Sequence, residues 1–277
     1  MRKFILLLIK LIVVVLLIIS PFIHLHHTNF TNSLQEKRRK NYAGQEILIL
    51  GSSHGRDGFY DGIIDNSHNL SSSGFTLEET YKEIIRLDKT IPRVIMISFS
   101  PFSLNTANSK PRKSNVVFDF KSELGENPIL SFFNNPSRRE YIRFSNKNQK
   151  TQYFQKQLSE KEIRIKSINE FKSHTLSKEK FGLKFFYKIN DYCKNNNVRL
   201  IYIVTPFSTY YNNLLDSNRT WKEDLKFMNN SNINYEFYDY SKFFDSESQN
   251  TNHFIDGSHL NSKGGYLFTA YLKEKLF

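Results

Sequence analysis

The stretch EILILGSSHGRDG, residues 46–58, decides the fold, because an apolar run ends there in a glycine-flanked turn. The run at 46–50 is typical of a short buried β-strand, and the polar turn after Gly51 is typical of a helix start. Ser53 therefore lies in a strand-to-helix turn, which exposes its hydroxyl and places free helix amides beside it. Such a turn is also typical of a simple helix cap, so its chemistry depends on the rest of the chain.

Strands and helices alternate along the chain on both sides of the central basic region. Further short apolar runs predict strands at 65–71, 93–99, 199–204 and 234–240. A helix begins after Thr76, with Glu79 three residues later as in a capping box, a second covers 181–196, and a last one follows Gly264 and Gly265. This alternation predicts an α/β fold with a five-stranded parallel sheet that helices cover on both faces.

The polar residues that could carry chemistry follow the predicted strands. Ser53 follows the first strand, Gly74 the second and Ser100 the third, while Asp256 and His259 come after the fifth. Ligands of parallel sheets bind outside the carboxyl ends of the strands. We therefore expect these residues at one edge of the sheet.

A second decisive stretch is FIDGSHLNSKGG, residues 254–265, which places Asp256 and His259 three residues apart. A histidine can take the proton of a serine hydroxyl, and a carboxylate on its other nitrogen fixes the required tautomer. Together with Ser53, these residues predict a Ser-His-Asp serine hydrolase that needs no cofactor and no metal. The alternative interpretation is a helix-capping aspartate beside a surface histidine.

These motifs resemble those of the SGNH/GDSL hydrolase superfamily. GSSH at 51–54 resembles the nucleophile block, with Ser52 in place of the usual aspartate. NLSSSGFT at 69–76 resembles the second block, DGSHLN at 256–261 the last one, and RLIYIVTPFSTYYNN at 199–213 the fourth-strand region. The resemblance covers roughly residues 46–106 and 181–277. It implies a flavodoxin-like three-layer α/β/α sandwich and ester or thioester chemistry.

The resemblance also implies an oxyanion hole built from the backbone amides of Ser53 and Gly74. The third block departs from the family pattern, since ISFSPFSLN at 97–105 replaces the expected Gly-x-Asn-Asp. Ser100 and Asn105 are the candidates to replace the missing asparagine. Alternatively, the two backbone amides suffice.

The N-terminal segment predicts a membrane anchor. Residues 4–23 are apolar apart from Lys10 and Ser20, which is long enough to span a bilayer as a helix. No small-x-small cleavage site follows, so we expect a retained anchor at 1–25 rather than a removed signal peptide. The expected organisation continues with a juxtamembrane linker at 26–45 and an SGNH hydrolase-like domain at 46–277, which carries an insertion or cap at 107–180.

Charge bears on topology and partners. Arg2 and Lys3 favour a cytoplasmic N-terminus and the basic run 37–40 favours the reverse; we expect the former, with the catalytic domain outside a bacterial inner membrane. The net charge is +12, and residues 110–180 hold 16 Lys and Arg against 8 Asp and Glu. This excess suits anionic lipid or polysaccharide, or is a solvated surface; an anchor argues against nucleic acid.

The sequence therefore predicts a membrane-anchored serine esterase or O-acyltransferase that acts on acyl esters of cell-envelope polysaccharide. It resembles the membrane-anchored branch of cell-envelope O-acylation proteins, which implies a multi-spanning membrane acyltransferase as partner. The alternatives are a lysophospholipase or thioesterase at the membrane surface, and a catalytically weak polysaccharide-binding or assembly protein. His54 and Arg56 either touch substrate, bond to the rim of the site or face solvent, and Cys193 is expected on the core face of a helix.

Overall fold

The computed structural model describes residues 44–60, 62–86, 91–104, 158–173, 179–231, 233–246 and 250–277. The predicted anchor, all but the last two residues of the predicted linker, and residues 107–157 of the predicted insertion lie outside these ranges. Among the described helices, none has the length and apolarity that crossing a bilayer requires.

In the part of the chain that the structure describes, five strands form one parallel sheet: β1 (Ile47–Gly51), β2 (Ser67–Asn69), β3 (Val94–Phe99), β4 (Arg199–Val204) and β5 (Glu236–Asp239). Their order across the sheet is β2-β1-β3-β4-β5, and every neighbouring pair is parallel. This is the flavodoxin-like order: β2 is added on one side of β1, and the later strands are added on its other side. The predicted α/β fold with five parallel strands is confirmed.

The helices within the described residues are α1 (Ser53–Gly58), α2 (Leu77–Arg86), α3 (Glu160–Ser173), α4 (Leu183–Asn195), α5 (Thr209–Asp216), α6 (Arg219–Asn230) and α7 (Ser262–Leu276). A short 3-10 turn, Asn250–His253, precedes the last of them. The predicted capping box starts α2: Glu79 accepts the amide of Thr76 at 2.9 Å, and Thr76 accepts the amide of Glu79 at 3.4 Å. Polar side chains thus satisfy the free amides that a helix start leaves.

The two faces of the sheet bury separate apolar clusters. Leu48 and Leu50 of β1 face a cluster that includes residues of α2, α4 and α6, whereas Ile47 and Ile49 face one that includes residues of α3 and α7. Alternate residues of a strand point to opposite faces, so an unbroken apolar run is what a strand between two helix layers needs. Cys193 lies in the first cluster, as expected, and burial raises the pKa of its thiol to about 12.

Two regions differ from the sequence-based expectation. Strand β2 is shorter than the predicted 65–71: Asn66 before it has a φ of +54°, outside the range of a β-strand, and at its end the Asn69 side chain donates to the carbonyl oxygens of Gly55 and Phe59 at 3.0 and 2.8 Å. The described end of the predicted insertion is helical: α3 packs beside α5 and buries Ile163 in the second cluster. The basic composition of that region gave no pattern that predicted this helix.

Candidate active site

Two glycines set the position of Ser53 at the first turn of α1. Gly51 has a φ of +130° and pairs with Ser98 of β3, where an added Cβ would overlap the Ser98 hydroxyl. A Cβ on Gly55 would lie 2.5 Å from the Ser71 hydroxyl and 2.7 Å from that of Ser98. Because only glycine permits these approaches, α1 sits directly on the ends of the neighbouring strands and holds Ser53 at the sheet edge.

The structure brings together the three residues that the sequence predicted as a catalytic triad. The Oγ of Ser53 lies 2.7 Å from Nε2 of His259, and the opposite ring nitrogen, Nδ1, lies 2.9 and 3.0 Å from the two carboxylate oxygens of Asp256. In neutral His259 the Nδ1 proton goes to Asp256, which leaves the Nε2 lone pair facing the serine. This arrangement suits removal of the serine proton.

Asp256 is held in its charged form by several donors. Its Oδ1 accepts the backbone amides of Ser258 at 3.0 Å and of His259 at 2.8 Å, in addition to the imidazole. Burial pushes the pKa of Asp256 upward, but the charge and hydrogen bonds of His259 and the two amides outweigh it and lower the pKa below its ordinary value. The carboxylate can therefore stabilise an imidazolium at its side.

The same interactions act on His259 in the opposite direction. Burial lowers the pKa of the imidazole, but the charge and hydrogen bond of Asp256, with smaller contributions from Glu170 and Asp57, raise it to about 9. A raised pKa means that the charged imidazole, the form produced when the serine proton is taken, is the better stabilised one. The environment of His259 thus favours proton uptake.

Gly74 lies in a turn next to the nucleophile. The amide of Phe75 donates to the carbonyl of Ser72 at 3.2 Å, and Gly74 between them has a φ of +77°, as the third position of a type II turn requires. The amide of Ser72 donates to the carbonyl of Gly51 at 3.0 Å, which joins this turn to the one that carries Ser53. The role of Gly74 and of the Ser53 amide in an oxyanion hole stays a prediction.

The structure describes only Ser100 of the two residues that were predicted to replace the asparagine of the third block. Ser100 follows β3 directly and is buried, with its amide donating to the Ser103 hydroxyl at 2.9 Å and the two hydroxyls 3.3 Å apart. Its hydroxyl is thus engaged within its own turn. Asn105 lies outside the described residues.

His54 does not face solvent, and that interpretation was wrong. It is 5% exposed, and its ring stacks on His259 with centroids 4.7 Å apart. Nδ1 of His54 lies 3.1 Å from the Ser52 hydroxyl, and Nε2 lies 3.1 Å from the Ser258 hydroxyl. His54 therefore packs against the proposed base and links Ser52, next to Ser53, with Ser258, next to His259.

Glu170 of α3 is a second carboxylate that the sequence did not reveal. It accepts a hydrogen bond from the hydroxyl of Ser258, and its Oε1 lies 3.9 Å from Nδ1 of His259. Burial, followed by the charge of Asp256, raises the pKa of Glu170 to about 7. No motif surrounds this residue, so only the packing of α3 shows that it belongs to the site.

Arg56 bonds to the rim of the site. Its guanidinium makes two 2.9 Å hydrogen bonds to Asp57, whose side chain is fully buried, and it also donates to the hydroxyl of Ser73. This arrangement ties α1 to the turn that contains Gly74. Of the interpretations open for Arg56, the bond to the rim is the one the structure shows.

One group of side chains at the site has the composition of a metal centre. Ligand atoms of His54, Glu170 and His259 lie within 4.8 Å of one another. The Ser258 hydroxyl contacts all three of these side chains. We therefore interpret the group as a hydrogen-bonded cluster around that hydroxyl.

Comparisons with known proteins give distant structural likenesses only. No family model and no curated protein sequence matches the chain. A GDSL-like lipase from Bacteroides thetaiotaomicron is similar with a TM-score of 0.42 and 10% identity, over 87% of this chain and 95% of that one. A Streptococcus pneumoniae protein provisionally described as a platelet activating factor gives 0.46 and 9%, over 89% and 92%. A Bacteroides fragilis protein provisionally described as an acylhydrolase gives 0.39 and 12%, over 83% and 84%.

At these identities and TM-scores, the likenesses carry no argument about activity. Function has to be inferred from the chemistry of the residues at the sheet edge.

Proposed function

We propose that this protein is a serine ester hydrolase of the SGNH type, with Ser53 as nucleophile, His259 as general base and Asp256 as its orienting acid. The observation that carries the proposal is the 2.7 Å contact between Ser53 Oγ and His259 Nε2, with Asp256 on the opposite nitrogen. A hydroxyl is a poor nucleophile until an adjacent base takes its proton, and this geometry supplies that base.

The reaction proceeds in two halves. Ser53 Oγ attacks the ester carbonyl carbon while its proton moves to Nε2 of His259, and backbone amides of Ser53 and Gly74 receive the negative charge on the oxygen. The imidazolium then gives that proton to the leaving alcohol as the carbon–oxygen bond breaks, which leaves an acyl group on Ser53. Water, or a sugar hydroxyl in a transfer reaction, next gives its proton to His259 and attacks the acyl carbon. The bond between that carbon and Ser53 Oγ then breaks as His259 returns the proton to Oγ, which releases the acid or the new ester and restores the free serine.

Replacement of the nucleophile tests this proposal. Ser53→Ala should lower kcat/KM for p-nitrophenyl acetate by about 10³-fold or more, because triad members act as a unit. A fluorophosphonate probe should label the native protein at Ser53 and leave Ser53→Ala unlabelled, as peptide mass spectrometry would show.

The adjacent serine provides the matched control. Ser52→Ala removes a hydroxyl one position away and should still be labelled at Ser53. Full activity and labelling in Ser53→Ala, with loss in Ser52→Ala, would move the nucleophile by one residue. Activity in both variants would eliminate the serine mechanism.

We propose further that the substrate is an acyl ester of cell-envelope polysaccharide, with the enzyme anchored in the membrane beside a multi-spanning acyltransferase. Support comes from the apolar residues 4–23 and from the basic excess at 110–180. Mass spectrometry of envelope polysaccharide from a deletion strain should show an altered O-acyl content. Unaltered polysaccharide with accumulated lysophospholipid would favour the membrane-surface lipase instead.

One observation favours a second candidate, a polysaccharide-binding or assembly protein with little catalysis. The third block lacks the family asparagine, and the Ser100 hydroxyl at that place is engaged with Ser103. Rapid fluorophosphonate labelling of Ser53 would exclude this candidate, whereas an unlabelled, folded protein that binds polysaccharide would support it.

A further inference from the structure

We propose that Glu170, acting through the Ser258 hydroxyl, is a second acidic positioning residue for His259, supplied by helix α3 from outside the motif-bearing segments. The inference rests on the proposed function, since it assigns a role to the surroundings of the same base. It adds a residue that lies in none of the family-like blocks.

The first support is the way α3 sits on the loop that carries Asp256 and His259. The ammonium of Lys166 donates to the carbonyl of Ile255 at 3.2 Å. A Cβ on Gly257 would lie 2.6 Å from the hydroxyl of Ser167, so the helix backbone and the loop are in direct contact there. One helical turn separates these contacts from Glu170, so they fix the position of its carboxylate relative to the loop.

The second support is a directed chain of hydrogen bonds that ends at Glu170. The Ser258 hydroxyl has one proton and gives it to Glu170, so its oxygen accepts from Nε2 of His54. Nδ1 of His54 then accepts from the Ser52 hydroxyl. All these donors point toward the carboxylate, and the shared hydroxyl lies 3.3 Å from Nδ1 of His259.

The third support is the charge that the base experiences. Oε1 of Glu170 lies 3.9 Å from Nδ1 of His259, and the glutamate side chain is 15% exposed. An opposite charge at this distance favours the protonated imidazole, and Glu170 is among the groups that raise the pKa of His259. When ionised, Glu170 therefore acts beside Asp256 in stabilising the imidazolium.

The groups that face Glu170 set when it is ionised. Burial raises the pKa of Glu170, and so does the charge of Asp256 on the neighbouring loop. His259 and the Ser258 hydroxyl of that loop lower it, as does Lys166 of its own helix. His54 of α1 is connected to Glu170 through the Ser258 hydroxyl. Burial and then the charge of Glu170 raise the pKa of Tyr211 of α5. The resulting pKa of about 7 makes Glu170 charged over the range in which His259 loses its proton.

Replacement by glutamine separates the charge of Glu170 from its shape, because the amide oxygen of Glu170→Gln can still accept from Ser258. We expect kcat for p-nitrophenyl acetate, measured on the alkaline plateau where His259 is neutral, to fall about 3- to 30-fold with KM nearly unchanged, since a charge partner acts on the transition state. The acidic limb of the pH profile of kcat/KM should move to lower pH by roughly half a unit or more, because one carboxylate no longer holds the proton on His259.

The matched control is Glu160→Gln, which removes a carboxylate from the first turn of the same helix and should leave both kcat and the limb as in the native protein. Ser258→Ala should move the limb in the same direction as Glu170→Gln, because Glu170 loses a hydrogen bond that lowers its pKa and is then less ionised beside His259. The Ser258→Ala, Glu170→Gln double variant should be little worse than either change alone, since both break one chain. If Glu170→Gln does not fold, Ser258→Ala decides the test.

Histidine NMR titration provides a readout that does not need turnover. The pKa of His259 should fall in Glu170→Gln relative to the native protein and to Glu160→Gln. An unchanged His259 pKa and an unchanged limb, with Ser53 still labelled by fluorophosphonate, would overturn this inference alone. Absence of labelling in the native protein would overturn the proposed function, while the NMR shift would still decide the placement of Glu170.

Discussion

At the scale of single residues, His259 is the group on which the site depends. Asp256, Glu170 and the ring of His54 surround it, and Ser53 occupies its remaining nitrogen. The net effect is a pKa of about 9, well above the ordinary value for histidine. Esterase activity should therefore depend on pH chiefly through this group.

The pH profile follows from the sign of that shift. Only neutral His259 can take the serine proton, so kcat/KM should rise as pH increases, reach half its maximum near pH 9 and level off above it. Asp256→Asn removes the main charge that raises this pKa. We expect its limb to move to lower pH by about a unit or more and its plateau to fall by about 10³- to 10⁴-fold.

Initial rates with p-nitrophenyl acetate in overlapping buffers between pH 5 and 10 would measure both effects, with spontaneous hydrolysis subtracted. Glu160→Gln, whose carboxylate lies outside the site, should reproduce the native profile. A native limb centred at or below the ordinary histidine value would contradict the arrangement of charges described here.

The sequence allowed part of this site to be predicted, and the division has a physical reason. Ser53, Asp256 and His259 lie in short segments after predicted strands, so the apolar runs before them indicate the edge of the sheet at which they lie. The role of His54 depends on which face of α1 meets the last loop, which no local pattern encodes. Glu170 lies on a helix whose packing partner is distant in the chain, so its place could be found only from the structure.

At the scale of elements, the β1–α1 turn is built around close contacts that tolerate no side chain. Gly51→Ala should lower the free energy of unfolding by roughly 2–5 kcal/mol, because it adds a Cβ against Ser98 and places alanine at a φ of +130°. Urea denaturation followed by circular dichroism would measure the change. The turn holds Ser53, so esterase activity should fall as well.

Gly62→Ala is the matched control for this substitution. Gly62 also has a positive φ, +85°, but an added Cβ there meets no atom within 4 Å. It should cost only about 1–2 kcal/mol, the penalty of a left-handed conformation without a clash. Equal losses in the two variants would show that the contact with Ser98 does not limit the turn.

The strands were easier to predict than the helices, because the central strands are buried on both faces. The central strands β1, β3 and β4 are apolar on both faces, and such runs are distinctive in a polar chain. Helix α3 lies in a basic stretch and has Ile165 exposed on its outer side, so its apolar face is poorly marked. Strand β2 is short, and the Asn69 side chain at its end accepts the amide of Ser71 and donates to carbonyl oxygens of Gly55 and Phe59, bonds that residue type alone does not predict.

At the scale of the whole molecule, the catalytic chemistry should be separable from the predicted anchor. Pairing within the sheet begins at Glu46, whose amide donates to the carbonyl of Asn66 at 2.9 Å, and the triad lies entirely beyond it. A chain that begins at Gln45 should fold and hydrolyse p-nitrophenyl acetate with a kcat/KM within about 2-fold of the full-length protein. In cells it should fail to restore the native O-acyl content of envelope polysaccharide to a deletion strain.

The full-length protein in detergent, and the shortened chain carrying Ser53→Ala, are the controls for this comparison. Complementation by the shortened chain would argue against a need for membrane attachment. Loss of small-ester activity in a folded shortened chain would show that residues before Gln45 contribute to the site.

Ser53 and His259, its proposed base, are 206 positions apart in the chain, although their side chains touch. During synthesis on the ribosome, Ser53 emerges early and His259 only when α7 is about to follow. A nascent chain, or a fragment that has lost its C-terminal segment to a protease, therefore contains the proposed nucleophile without its proposed base. If the proposed mechanism holds, ester hydrolysis can begin only once nearly the whole domain has been made and folded, and unfinished chains should be inactive.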